Sequence, residues 1–214
     1  MEERDRKAIC LMLDTNLETG VDISTIIDDD DVESFERDSH ITVFYGPPSE
    51  PVNYKEVLGD IHNILDEDFI DFMNFLKSGE DFRTEDYFEL DSFENPECDF
   101  LVLKLLENNI VSDTLRLLQK SLTKKYDIML SFSVYRPHLT LAKLRTGSAI
   151  KYLGSDSLKK LIEYSTVSFE DFTYSEGYET DNWKKFNLTS NHVIDRHFRL
   201  QDKKKSCEEM GLRW

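Results

Sequence analysis

The sequence repeats one tetrapeptide pattern: it reads His40-Ile41-Thr42-Val43 and, 98 positions later, His138-Leu139-Thr140-Leu141. Polar and aliphatic residues alternate in both stretches, which predicts a β-strand with one buried face. The first strand is predicted to stop at Gly46, because two prolines follow it. A strand pattern that recurs about half a chain later indicates two similar halves, as a duplicated unit would give.

The rest of the chain alternates between strand-like and helix-like segments. Apolar patterning predicts further strands at 7–13, 87–93, 100–106, 128–134, 167–176 and 183–188, and helices at 54–66, 112–125 and 155–164. Asn109 or Ser112 is available to cap the second of these helices. Residues 69–82 are aromatic and acidic and receive no assignment. This order of elements predicts an α+β fold with largely antiparallel sheets.

Composition limits the class of ligand. The 214 residues include 26 Lys and Arg against 43 Asp and Glu, which gives a net charge of −17. Binders of duplex DNA carry a basic face, so this charge argues against duplex DNA as a ligand. A small phosphate compound in a local pocket stays compatible with it, because net charge affects steering more than the chemistry of one pocket.

An acidic run occupies positions Asp28 to Asp31. Blocks of like charge are usually solvated, and the glycine and distal glutamate that an EF-hand requires are not in register here. We therefore expect a solvated loop or helix start at this run, and no metal site.

The cysteines and the N-terminal residues indicate the compartment. Cys10, Cys98 and Cys207 have no CxxC spacing, which supports neither a disulfide framework nor a zinc site. The apolar stretch from Ala8 to Leu13 is too short for a signal peptide or a membrane span, so we expect a cytoplasmic protein. Residues 1–191 are predicted to form one domain and residues 192–214 a polar tail.

The repeated pattern places reactive groups on the two strands. Residues two apart in a strand share a face, so His40 lies beside Thr42 and His138 beside Thr140. If the two faces meet across a cleft, one imidazole can act as base and the other as acid on a phosphodiester, with the threonine hydroxyls holding the phosphate. One His-x-Thr tripeptide is weak evidence and also fits a structural role. The shared aliphatic residues and the half-chain spacing favour the functional interpretation, and leave open which histidine is the base.

These motifs resemble those of the 2H phosphoesterases, a family with two His-x-Thr or His-x-Ser motifs on strands of two lobes. Tyr135-Arg136-Pro137 before His138 is similar to the lead-in of the family's second motif, and residues 87–125 resemble the strand, strand, helix unit between the motifs. The resemblance spans about residues 7 to 190. It implies a bilobal, pseudo-symmetric fold, in which two mainly antiparallel sheets flanked by helices surround a central cleft.

The same resemblance implies a phosphodiesterase that needs no metal and no cofactor. His40 and His138 would be the general acid and base, and Thr42 and Thr140 would bind the phosphate. Within the family the chain looks most like the phage anti-CBASS enzymes, which degrade cyclic oligonucleotide signals of bacterial immunity. That likeness implies a small nucleotide or cyclic oligonucleotide as substrate, met in the host cytoplasm.

Two alternatives stay open. RNA 2′,3′-cyclic phosphodiesterases and 2′-5′ RNA ligase-like enzymes share the two histidines and differ in substrate. A non-catalytic module, either nucleotide-binding or an acidic interaction protein, fits the net charge of −17.

Five further residues are candidates for contact with the substrate. Tyr45 and Tyr135 are candidates for stacking on a base, as is Tyr178. Arg136 and Lys143 are candidates for contact with phosphate. Lys143 stands three residues after Thr140, so simple alternation places it on the opposite face of the strand.

Overall fold

The fold is mixed α+β: the described residues form one antiparallel sheet of eight strands that curls into a half-barrel, and six α-helices. The computed structural model describes residues 7–36, 38–65, 68–130, 132 and 134–176. The predicted strand at 183–188, the predicted tail at 192–214 and the candidate Tyr178 lie outside these ranges.

The strands are β1 Ile9–Glu18, β2 Val32–Phe35, β3 His40–Gly46, β4 Phe82–Arg83, β5 Phe88–Glu94, β6 Asp99–Leu105, β7 His138–Leu144 and β8 Thr166–Glu176. The helices are α1 Tyr54–Leu65, α2 Asp68–Lys77, α3 Thr84–Tyr87, α4 Ile110–Lys125, α5 Ile150–Leu153 and α6 Asp156–Glu163. The class of fold and the helices predicted at 54–66, 112–125 and 155–164 are thereby confirmed. At α4 it is Asn109 that caps, because its Oδ1 accepts a hydrogen bond from the Ser112 amide at 2.9 Å.

The strands form one continuous sheet where the sequence indicated two. Its order is β4-β8-β1-β3-β7-β6-β5, and β2 also pairs with β7. All these pairs are antiparallel. Strands β3 and β7, which carry the repeated pattern, are neighbours in the middle and pair through Ile41 and Leu139.

The hydrophobic core joins one face of the sheet to the helices. Ile41, Leu103 and Leu139 are fully buried, and they belong to one cluster with Val57 of α1 and Leu115 of α4. Burial of the apolar side chains in this cluster provides most of the driving force for the fold. Since neighbouring residues of a strand point to opposite faces, the polar residues between them lie on the other side of the sheet.

The unassigned stretch at 69–82 is largely helix α2. Its Phe72 ring is 1% exposed and lies 6.0 Å from the ring of Phe172 on β8, measured between centroids. Phe75 of the same helix lies 5.9 Å from Phe169, also on β8. The aromatic residues of this stretch therefore hold α2 against the sheet.

The strand predicted at 128–134 is wrong. Its described residues form a loop between α4 and β7, in which Met129 is 75% exposed and Phe132 77% exposed. The Met129 amide donates a hydrogen bond to the Pro47 carbonyl, which ties the start of the loop to the end of β3. Both long edges of β7, the strand that follows, are already paired, with β6 on one side and with β2 and β3 on the other, so this segment cannot fold back to pair with β7.

The acidic run has a structural role at its last residue. Asp29–Asp31 form a 3₁₀ turn, and Asp31 accepts hydrogen bonds from the Lys151 ammonium and from the Tyr152 hydroxyl. These two contacts, with Lys151 the stronger, lower the pKa of Asp31 to about 2. The run thus fastens the segment before β2 to α5.

In the ranges described above, none of the helices is long and apolar enough to cross a membrane.

Candidate active site

The two histidine strands meet in the middle of the sheet. With Ile41 opposite Leu139 in an antiparallel pair, His40 lies beside Thr140 and Thr42 beside His138. The four residues are partly exposed, whereas Ile41 and Leu139 between them are fully buried. All four side chains therefore lie on the face opposite the core, which we call the site face. On such a face the two histidines are diagonal neighbours, with Cβ atoms about 7–8 Å apart.

The two imidazoles are held in the same way. Nδ1 of His40 lies 2.7 Å from the Asp38 carbonyl oxygen, and Nδ1 of His138 lies 2.7 Å from the Arg136 carbonyl oxygen. A carbonyl only accepts, so Nδ1 carries the proton in both rings. Each Nε2 is then the atom that accepts a proton when the ring is neutral and donates one when the ring is charged.

The surroundings of His138 favour its neutral form. Burial lowers the pKa of His138 below the value of an exposed histidine, and a positive charge on His40 lowers it further. The Arg136 carbonyl and the Asp91 carboxylate oppose this effect, and the net direction is downward. The Phe93 ring contributes to the enclosure, since it meets the His138 ring edge-on at 4.5 Å between centroids. At neutral pH, His138 is therefore ready to accept a proton.

Each histidine strand has a β-bulge directly after its threonine. On β3 the register with β1 shifts between Thr42 and Phe44, which leaves Val43 unpaired. On β7 the register with β6 shifts between Thr140 and Ala142, which leaves Leu141 unpaired. The two strands also share one pattern of burial over their seven residues. The repeat in sequence is therefore a repeat in backbone structure.

The bulges decide which later residues reach the site face. One extra residue reverses the alternation beyond it. On β6, Phe100 and Val102 are two residues apart and share one face. Val102 lies opposite Thr140 and Phe100 lies opposite Lys143, so Lys143 shares the face of the histidines. The expectation that Lys143 faces the other way is wrong for this reason. Tyr45, opposite Cys10 of β1, reaches the site face in the same way.

Two candidates on the segment before β7 have different surroundings. The Tyr135 hydroxyl donates a hydrogen bond to the Thr42 carbonyl at 3.0 Å, and its ring packs against the core. Burial raises the pKa of Tyr135. These contacts make Tyr135 a link between the two histidine strands and leave its ring poorly placed for stacking on a base. Arg136 is exposed, and its carbonyl is the partner of His138.

The site face also carries residues that the sequence did not single out. Asp14 of β1 lies opposite His40, and Lys104 of β6 lies opposite His138. Lys104 donates a hydrogen bond to Glu89 of β5 at 2.6 Å. Finding these residues requires the pairing of strands, which a single sequence does not show. From the sequence, only the alternation of polar and apolar residues within β1 and β6 indicated that Asp14 and Lys104 lie on a polar face.

Neither comparison with known proteins identifies a relative: no protein-family model matches the chain, and no curated protein matches its sequence.

Proposed function

We propose that this protein is a phosphodiesterase of the 2H type, which cleaves small ribonucleotide phosphodiesters without a metal ion. The observation that carries the proposal is the pairing of β3 and β7, which puts two identically held imidazoles and two threonine hydroxyls on one face. The two histidines share a tautomer, a contact with a backbone carbonyl and a bulge after the following threonine. Two imidazoles with free Nε2 atoms on one face suit acid–base chemistry on a single phosphate.

The proposal extends to the fold. Strands β5, β6 and β7, with β2 paired to β7, form one half of the sheet, and β1, β3, β4 and β8 form the other, with the histidine strands at the boundary. We propose that the two halves are pseudo-symmetric lobes of a 2H fold. The bulges at Val43 and Leu141 and the matching burial of β3 and β7 support this assignment.

The reaction begins with a 2′-hydroxyl that attacks the adjacent phosphorus. We assign the base to His138, because its neutral form is favoured: Nε2 takes the proton of the hydroxyl as the new P–O bond forms. His40 then protonates the oxygen of the leaving group as the old P–O bond breaks. The products are a 2′,3′-cyclic phosphate and an alcohol, and the proton balance is restored when the two rings exchange protons with water.

The threonines act on the phosphate. Thr42 and Thr140 flank the histidines and present hydroxyl donors, which stabilise the charge that builds up on the non-bridging oxygens. Tyr135 is a positioning residue in this mechanism, since it fixes the backbone of Thr42.

The substrate we propose is a cyclic oligonucleotide signal, met in the cytoplasm. A net charge of −17 disfavours long polyanions such as structured RNA more than a compact ligand with few phosphates. Among the described residues, Lys104 and Lys143 bring positive charge to the site face, and each forms an ion pair with a glutamate.

The test is turnover in the presence of EDTA. The wild type, His40→Ala and His138→Ala are incubated with cyclic di- and trinucleotides, 2′,3′-cyclic nucleotides and 2′-5′ oligoadenylate, and products are separated by chromatography. His62→Ala, on α1, is the matched control. We expect turnover by the wild type and the control, and turnover reduced by a factor of about 10²–10⁴ in the two site variants. Turnover of 2′,3′-cyclic nucleotides alone would instead support an RNA-processing phosphodiesterase, and binding with no turnover would overturn the enzymatic proposal.

A further inference from the structure

A row of side chains extends the site face beyond the histidines. Phe93 of β5 pairs with Phe100 of β6, and Phe100 pairs with Lys143 of β7. We call Phe93, Phe100 and Lys143 the aromatic–lysine row. From the position opposite His138 to Phe100, strand β6 advances four residues, or about 13 Å at 3.3 Å per residue. The positions of Phe100 and Lys143 therefore lie about one nucleoside away from His138 along the strands, whereas the ring of Phe93 extends back to His138.

Contacts show that the row and the histidines share one surface. The Phe93 ring reaches His138 itself, at 4.5 Å between ring centroids. Phe93 and Phe100 are both partly exposed, although Leu101 and Leu103 on the core face of β6 are fully buried. Two partly exposed phenylalanines beside a reactive imidazole offer an aromatic surface for a base, and stacking on such a surface tolerates any base.

The cation at the end of the row, Lys143, is part of a partly exposed ion pair. Lys143 forms an ion pair with Glu33 of β2 at 2.7 Å, and both side chains are partly exposed. Pairs of this kind contribute little to stability, so the ammonium group can exchange its carboxylate for a phosphate. The row thus presents an aromatic surface followed by a single positive charge.

We propose that the aromatic–lysine row binds the nucleoside next to the scissile phosphate, together with the second phosphate of that nucleoside. The substrate class is then a nucleotide whose nucleoside carries a phosphate on each side. This inference rests on the proposed function, since the scissile phosphate is placed at His40 and His138. It distinguishes linear or cyclic oligonucleotides, which have the second phosphate, from mononucleoside 2′,3′-cyclic phosphates, which do not.

The test measures binding to the full chain by calorimetry, with adenosine 3′-monophosphate and adenosine 3′,5′-bisphosphate as probes. In the wild type the 5′-phosphate is expected to lower the Kd about ten-fold, as one charge-assisted contact would. Lys143→Met should abolish this gain and Glu33→Gln should increase it. Phe100→Leu should weaken both probes, because the base loses its stacking partner. Lys120→Met, on the exposed side of α4, removes the same charge away from the row and should keep the gain.

Binding and turnover separate this inference from the proposed function. Equal affinity for the two probes in the wild type, a gain that survives Lys143→Met, or no binding of either probe would overturn the row as a phosphate subsite. Turnover in the EDTA panel with equal affinities would leave the phosphodiesterase standing without the row. A ten-fold gain that depends on Lys143, with no turnover of any substrate, would establish the row in a protein that binds nucleotides without cleaving them.

Discussion

The assignment of His138 as base and His40 as acid can be tested with two substrates that differ only in their leaving group. One is the dinucleotide UpU, whose leaving oxygen must be protonated, and the other is uridine 3′-(4-nitrophenyl phosphate), whose nitrophenolate leaves without a proton. Both contain the same attacking 2′-hydroxyl. Replacement of the acid should therefore be harmful only with UpU, and replacement of the base should be harmful with both.

The structure sets the expected magnitude. Each imidazole has one Nε2 available and the same carbonyl contact at 2.7 Å, so each contributes one proton transfer. Such a transfer contributes about 10²–10⁴ to the rate. With UpU, His40→Ala and His138→Ala should each lose about that factor in kcat/KM. With the nitrophenyl ester, His40→Ala should regain most of it, and His138→Ala should regain none.

The assay is steady-state kinetics with both substrates across a range of pH, with chromatography for UpU and absorbance for nitrophenolate. In the wild type we expect kcat/KM to fall on the acid side as His138 becomes protonated, below the ordinary histidine value of about 6.5, because its pKa is lowered. Rescue of His138→Ala by the nitrophenyl ester, with no rescue of His40→Ala, would reverse the assignment. Full activity of either variant on UpU would refute the two-histidine mechanism itself.

Three further predictions concern stability. Phe72→Ala should lower the free energy of unfolding by about 3–5 kcal/mol, because the Phe72 ring is fully buried against β8. Phe132 is 77% exposed, so Phe132→Ala should change the free energy of unfolding by less than about 0.5 kcal/mol. Comparable losses for the two variants in urea denaturation would contradict the packing of α2. Asn109→Ala should lower the free energy of unfolding by about 1 kcal/mol, because the N-terminal cap of α4 is lost. Asn109→Ser should retain most of the stability of the wild type, since serine also caps, and thermal unfolding measures both effects. The pKa of His138 is lower in the folded chain, so as the pH falls the unfolded chain binds this proton first. The free energy of unfolding should therefore be constant above about pH 6.5 and should decrease as the pH falls from there toward the pKa of His138 in the folded chain. His138→Asn should show a smaller decrease over this range, and the same dependence of stability on pH in both proteins would contradict the effect.

The sequence was sufficient for the histidine strands because their signal is local. Alternation in His40–Gly46 and His138–Leu144 reflects one buried and one open face, and this property belongs to each strand alone. The helices could be predicted for the same reason, since an apolar stripe and a cap such as Asn109 are encoded within one segment.

Other parts of the site depend on pairing between distant strands. The bulges at Val43 and Leu141 are defined by the partners β1 and β6. Two consecutive apolar residues interrupt the alternation at each of them, but only the pairing shows that this interruption is a bulge. A strand with no bulge would turn Lys143 away from the histidines, so the sequence placed it on the wrong face. The pairings from β5 to β6 and from β6 to β7 place Phe93 in line with Lys143, and the contact of the Phe93 ring with His138 is likewise visible only in three dimensions.

The loop at 128–134 shows the opposite error, in which the described residues carry a local strand signal but are not part of a strand. Its alternating residues fit a strand, but a strand is stable only beside another one. The edges of β7 are taken by β2, β3 and β6, so the segment remains a connection with Met129 and Phe132 exposed. Local propensity gave way to the topology of the sheet.

On the proposed function, the boundary between β3 and β7 also ties activity to the order of folding. The two histidines are 98 positions apart, so neither half of the chain can assemble the reactive pair before the other has docked. Contacts between residues so far apart carry a large cost in chain entropy and tend to form late. During refolding from denaturant, helix signal should therefore return before cleavage of substrate does, which makes catalysis a sensitive reporter of the final docking step.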